Sequence, residues 1–225
     1  MPHLSVFATR DALMQAAADR LEAALREGIA ARGAACIALS GGSTPEPAYV
    51  ALAARDLDWP KIRFAMVDER FVASDDDASN EKMLRRALAP ALAKGADLLP
   101  LFSSGSPADA AKRADAIYAP LHIDAALMGM GDDMHTASWF PGAAGEALSD
   151  ARSVVAVYAP MATGCADRLT LTQSAIARAG RVFLLISGES KRATLDAALA
   201  LHAEDAPVVA LFSDCERQPE VLWAA

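Results

Sequence analysis

The sequence predicts a mostly parallel α/β sheet covered by helices on both faces. Short apolar runs alternate with amphipathic segments of helical period, as strands buried on both faces and their crossover helices do. Several helix starts are punctuated by a hydroxyl residue next to proline. Four of the apolar runs end in glycine, hydroxyl or charged residues, which places polar groups along one rim of such a sheet.

The first element is an amphipathic helix over residues 9–31, with Leu13, Ala17, Leu21, Ala24 and Ile29 on one side and Gly33 marking its end. An apolar strand at 35–39 leads through SGGSTP into a helix over 45–54, where Thr44 before Pro45 reads as an N-cap followed by proline at the first helical position. Strand 62–67 precedes DER and then DDDASNEK. That acidic run lacks the glycine and terminal glutamate of an EF-hand loop, so residues 75–77 read as solvated, with Ser79 or Asn80 capping a helix over 80–89. Ser106 and Pro107 start a helix over 107–119, with Asp109 three residues after the serine. Strands at 123–128, 154–158, 182–186 and 208–212 and a helix over 189–201 complete the alternation, and RLTLT from Arg168 has the pattern of a further strand. With no repeat and no Ser- or Gly-rich linker, one domain over residues 1–225 is expected.

At 225 residues and 53% apolar composition the chain can bury a substantial core. No apolar run approaches the roughly 18 residues of a spanning helix, and the start lacks a basic region followed by a long apolar one, so a soluble cytoplasmic protein is expected. The net charge of −8, with no basic block, argues against nucleic acid or an anionic membrane as partner. Any bound phosphate must therefore be held by a few local groups. The three cysteines, Cys36, Cys165 and Cys215, have neither CxxC nor zinc spacing, and no metal or disulfide framework is expected. The pattern carries no signal for oligomeric state.

The rim concentrates the chemistry. In SGGSTP, Gly41 and Gly42 separate a strand from a helix start, so backbone amides and the hydroxyls of Ser43 and Thr44 can converge on an anion, although a plain tight turn needs similar residues. Asp68, Glu69 and Arg70 offer two carboxylates and a guanidinium; as an isolated triplet they read as a salt-bridged rim, and beside a phosphate loop Arg70 suits bidentate phosphate contact. Of the four histidines only His135, in GMGDDMHTASWFPG, falls on this rim, where an imidazole can act as a general base. Arg168 and Lys191 add cations at two further junctions.

Taken in order, LSGGSTPEPAYVALA, VDERFV with SNEKML, ALMGMGDDMHTASWFPG, RLTLT and SGESK resemble the bacterial 6-phosphogluconolactonases, over roughly residues 37–191. The resemblance implies a Rossmann-like sheet of the type shared with glucosamine-6-phosphate deaminases and ribose-5-phosphate isomerases. It implies hydrolysis of 6-phosphoglucono-δ-lactone to 6-phosphogluconate without a cofactor or metal. His135 is then the base that activates water, oriented by Asp133 or a backbone carbonyl. The phosphate meets the Ser43 and Thr44 loop, Arg70 and Lys191, with Arg168 as a further clamp, while Asp68 and Glu69 are accessory. Oxyanion donors come from amides between Gly129 and His135. Where the family commonly reads DGH, this chain has Asp133, Met134 and His135, so the loop is expected in a right-handed or extended conformation, because methionine is strained at positive φ. Ala73 and Trp139 stand where the family usually has proline and leucine and read as packing variations. Two alternatives are a glucosamine-6-phosphate deaminase-type isomerase, with Asp68 shuttling a proton at carbon, and a sugar-phosphate sensor without turnover. The deaminases carry an acid soon after the histidine, whereas TASWFPG follows His135 here.

Overall fold

The computed structural model describes residues 2–213 and 218–225. In chain order its strands are β1 His3–Phe7, β2 Ala35–Leu39, β3 Ile62–Met66, β4 Asp68–Arg70, β5 Asp97–Leu98, β6 Ala125–Met128, β7 Val154–Tyr158, β8 Asp167–Leu171, β9 Val182–Ser187 and β10 Glu220–Ala224. The helices are α1 Arg10–Arg32, α2 Glu46–Ala53, α3 Asn80–Ala87, α4 Ala89–Ala93, α5 Pro107–Tyr118, α6 Gly145–Ser149, α7 Gln173–Ala177, α8 Glu189–Ala198 and α9 Ala210–Ser213.

Seven strands form a wholly parallel sheet in the order β1-β10-β9-β6-β2-β3-β5. Every residue of β2 and of β6 is buried, because helices cover both faces, and this is why those strands read as unbroken apolar runs. From β2 the chain winds outward through β3 and β5; from β6 it winds the other way through β9 and β10. The reversal between β2 and β6 opens a crevice at their carboxyl ends, where a sheet of this kind binds ligands.

Helix α1 starts on Thr9, whose side chain accepts from the Ala12 amide, and stops at Gly33, whose φ of 77° lets its N–H reach the Ile29 carbonyl. Its Leu13, Leu21 and Leu25 are fully buried, in the same cluster as Ile37, Leu39, Tyr49 and Phe64. Cys36 sits in β2, with burial pushing its thiol up to about 12, so it is a packing residue. Cys215 lies outside the described residues. No helix among the described residues is long and apolar enough to cross a membrane.

A second, antiparallel sheet has the order β4-β8-β7. Val67 joins the two sheets: its N–H donates to the Leu39 carbonyl of β2, and its carbonyl accepts from the Leu171 amide of β8. The expected strand 154–158 therefore exists but belongs to this small sheet, and RLTLT is its central strand.

Three expectations are corrected. Residues 208–212 are not a strand: Pro207–Val209 form a 3-10 turn running into α9, and the position beside β9 is taken by β10. An apolar run of five fits a buried turn of helix as well as a strand, and Pro207 at its start favours the turn. The helix over 80–89 is two helices, α3 and α4, which meet at Leu88 with Pro90 in the first turn of the second. Finally Pro45, not Thr44, occupies the cap position of α2, and no side-chain cap bond forms there.

Candidate active site

The loops that follow β2, β6 and β9, together with β4 and β8, enclose a cleft of about 250 Å³ at the crevice. Gly41, Gly42, Thr44, Asp68, Arg70, His135, Arg168 and Lys191 all line it, beside Asn80, Ala137 and an apolar wall that includes Met128, Leu185 and Ile186. Ser43 does not: it is exposed and points no group into the cleft lining. Glu69 is likewise absent from the lining.

The SGGSTP loop is fixed from below. The Ser40 amide donates to the Leu127 carbonyl (3.1 Å), tying β2 to β6, and the buried Tyr49 hydroxyl donates to the Ser40 carbonyl (2.8 Å). Gly41 is required by close approach, since a Cβ there would stand 1.9 Å from Asn80 Oδ1; Gly42 is required by its φ of 97°. Because Thr44 makes no cap bond, its hydroxyl remains available to the cleft.

Glu69 is fully buried and works below the site. Its carboxylate accepts from the Arg70 amide (2.8 Å), the Ser79 hydroxyl (2.9 Å), the Asn80 amide (2.7 Å) and the Glu81 amide (2.8 Å). It thereby caps α3 alongside Ser79, whose own Oγ accepts from the Lys82 amide. Burial nonetheless pushes the Glu69 carboxyl above its ordinary value, against those four hydrogen bonds.

The capped helix presents Asn80 to the cleft. Its Nδ2 donates to the Asp68 carbonyl (3.0 Å) and to Asp68 Oδ1 (3.2 Å), while its Oδ1 accepts from Arg70 Nη1 (3.0 Å). Asp68, itself buried, also accepts from the Ser138 hydroxyl (2.7 Å). Asn80 is the site residue that sequence reasoning assigns only to capping. Its signal is the short step from DER to SNEK, ten residues from Arg70 to Asn80, which brings an amide back beside Arg70.

Arg70 and Arg168 are cross-strand partners in the antiparallel pair of β4 and β8. Like charges placed directly opposite destabilise a sheet. Arg168 is almost fully buried; its Nε and Nη2 donate to the Cys165 and Thr163 carbonyls (both 2.7 Å) and its guanidinium lies over the Phe140 ring. Burial lowers its pKa, Asp68 opposes that shift and Arg70 adds to it. Arg70 spends Nη1 on the Ala78 carbonyl (2.7 Å) and on Asn80, and its buried Nε has no hydrogen-bond partner among the described residues. Two adjacent guanidiniums with unspent donors have the chemistry to take up an anion.

His135 stands at the end of the β6 loop, its ring half-buried against Phe140 at 4.5 Å between centroids. Its Nδ1 lies 2.5 Å from Asp133 Oδ1, which leaves Nε2 for another partner. Gly131 makes room for this pair: a Cβ there would stand 2.1 Å from Nδ1. The loop is anchored through Thr136, whose hydroxyl donates to the Gly129 carbonyl (2.7 Å), and through the fully buried Trp139, whose Nε1 donates to the Leu171 carbonyl (2.7 Å). Met134 corrects an expectation: its φ is 67°, the left-handed region, and not right-handed or extended. The loop forces it, because the Met134 amide donates to the Gly131 carbonyl (3.2 Å) while its own carbonyl accepts from the Val208 amide (3.1 Å). The methionine therefore keeps the backbone conformation that glycine would adopt more easily. Lys191, in the first turn of α8, donates to the Met130 carbonyl (2.9 Å) and pairs with Asp132 (2.7 Å).

Comparison with known proteins agrees along the whole chain. The family model for glucosamine-6-phosphate isomerases/6-phosphogluconolactonase matches residues 8–223. A 6-phosphogluconolactonase from Rhizobium meliloti is 36% identical over 230 residues, covering 99% of this chain and 98% of that one. One from Caulobacter vibrioides is 36% identical over 227 residues, covering 98% and 97%. The crystal structure of a 6-phosphogluconolactonase from Shewanella baltica superposes with a TM-score of 0.92 at 31% identity, covering 100% of this chain and 98% of that one. A monomeric glucosamine-6-phosphate deaminase, at 22% identity and a TM-score of 0.79, shares the fold. The chain belongs to the glucosamine-6-phosphate isomerase/6-phosphogluconolactonase family.

Proposed function

We propose that this chain hydrolyses 6-phosphoglucono-δ-lactone to 6-phosphogluconate, in the oxidative pentose phosphate pathway and in the cytoplasm, with His135 as general base. Its relatives' activity and the contents of one cleft support the same reaction. The observation that carries the reading is that an aspartate-oriented imidazole shares that cleft with a cross-strand arginine pair.

The steps follow from the groups present. Asp133 holds the proton of the imidazole on Nδ1, so Nε2 takes a proton from water as the oxygen attacks the lactone carbonyl. The oxyanion that forms is met by backbone amides of the loop from Gly129 to His135. Collapse breaks the bond between the carbonyl carbon and the ring oxygen, and the imidazolium returns its proton to the departing alkoxide. Arg70 and Arg168 hold the distant phosphate, with Gly41, Gly42 and Thr44 presenting the loop's amides and hydroxyl and Ser43 and Lys191 at its margins. This fixes the ring over the base. Asp68 keeps Asn80 and Ser138 in place around the arginines.

The deaminase alternative has one observation in its favour, the presence of Asp68 in the cleft. Both of its carboxylate oxygens already accept hydrogen bonds, and TASWFPG follows His135 with no acid before Glu146. One assay separates the readings: hydrolysis of the phosphorylated lactone above its spontaneous rate, with glucosamine 6-phosphate run in parallel. Acceleration on the lactone alone is expected, with a loss of about 10²- to 10⁴-fold in H135A. Ammonia release would install the deaminase reading, and tight 6-phosphogluconate binding without acceleration would install a sensor.

A further inference from the structure

We infer that Lys191 is a positioning residue for His135, holding the loop that carries the imidazole by way of the Met130 carbonyl. The inference rests on the lactonase reading above. Two hydrogen bonds link the ammonium to the base. Lys191 Nζ donates to the Met130 carbonyl (2.9 Å), and the N–H of the same peptide, on Gly131, donates to the His135 carbonyl (2.9 Å). The peptide is thus gripped at both ends, and a donor on its oxygen strengthens the bond its N–H makes.

The geometry downstream of that peptide is tight. Gly131 packs so closely on the imidazole and on Asp133 Oδ1 that no Cβ fits, and its carbonyl accepts from the Met134 amide (3.2 Å), which holds Met134 at φ 67°. A shift of the Met130–Gly131 peptide therefore moves the imidazole directly. The anchor is rigid because Lys191 belongs to the first turn of α8, which leaves β9 through Gly188. An ammonium has three donors. Two are spent on Met130 and Asp132, which leaves one to face the cleft that Lys191 lines. Asp132 is largely solvated, so it neutralises the ammonium without taking it away from the loop.

A pure phosphate ligand and a positioning residue differ on a substrate without a phosphate. With K191M, kcat is expected to fall about 10- to 100-fold on the phosphorylated lactone and on unphosphorylated glucono-δ-lactone alike. KM for the unphosphorylated lactone should stay at its wild-type value, and K191R should recover most of the rate. Amide hydrogen exchange provides a readout independent of turnover: the Gly131 N–H should exchange at least about tenfold faster in folded K191M. Loss confined to the phosphorylated substrate and expressed in KM, or an unchanged Gly131 exchange rate, would overturn the inference. Failure of the lactonase reading looks different, since H135A would then match wild type on both lactones whatever Lys191 does.

Discussion

Replacing Arg70 by methionine separates the anion clamp from the chemistry. The guanidinium spends Nη1 on Ala78 and Asn80, while the edge formed by Nε and Nη2 carries the donor with no partner among the described residues. That edge can make two parallel charge-assisted hydrogen bonds to a phosphate. At about 1.5 kcal/mol each, the lower end for charged groups because Arg168 remains to hold the anion, they contribute about 3 kcal/mol. The corresponding loss in kcat/KM is roughly 100-fold. Some stability should go as well, since the Ala78 carbonyl and Asn80 Oδ1 lose a donor; Asn80 keeps its two bonds to Asp68, so the fold should survive. The assay is the initial rate of acid release above the spontaneous rate, on the phosphorylated and unphosphorylated lactones in parallel. The phosphorylated lactone should lose the full factor and the other little. In thermal unfolding, added inorganic phosphate should raise the wild-type midpoint and leave that of R70M nearly fixed, because only a ligand that binds the native state stabilises it. Equal losses on both lactones, or undiminished stabilisation by phosphate, would refute the assignment.

Two predictions concern the scaffold beneath the site. In E69Q an amide NH₂ faces backbone N–H groups that now meet a carboxylate oxygen, and urea unfolding should report a loss of about 2 kcal/mol. Because burial holds the Glu69 carboxyl above its ordinary 4.5, the native chain takes up that proton before the unfolded chain does. Its contribution to stability should therefore rise as pH falls from the raised native value toward 4.5, and E69Q should lack that slope. At Met134, M134G removes a left-handed strain of about 1–2 kcal/mol but also a partly buried side chain. Net stability should stay within about 1 kcal/mol of wild type and turnover close to it. M134V, β-branched at positive φ, should lose both stability and rate; a tolerated valine would contradict the left-handed assignment.

What the sequence reveals and what it hides divide along the range of the interactions involved. Strands β2, β6 and β9 are legible because each is an apolar run covered on both faces, and β3 because only the exposed Arg63 interrupts its run; their polar carboxyl ends locate the cleft once the sheet is taken as parallel. The small sheet is illegible because β4 has only three residues and its partner, β8, comes from about a hundred residues later, so no local period betrays the pairing of Arg70 with Arg168. Yet that pairing sets two cations, each read from the sequence alone as surface charge, side by side at the cleft. Asn80 hides for a similar reason: before a helix it reads as a cap, whereas Glu69 and Ser79 do the capping and release its side chain toward Arg70. At Met134 local preference points the wrong way, and a contact from Val208 combined with the Gly131 turn overrides it. Each of these residues takes its role from a partner outside its own element, so the residue types of the site can be read one by one while their arrangement depends on the second sheet folding against the first.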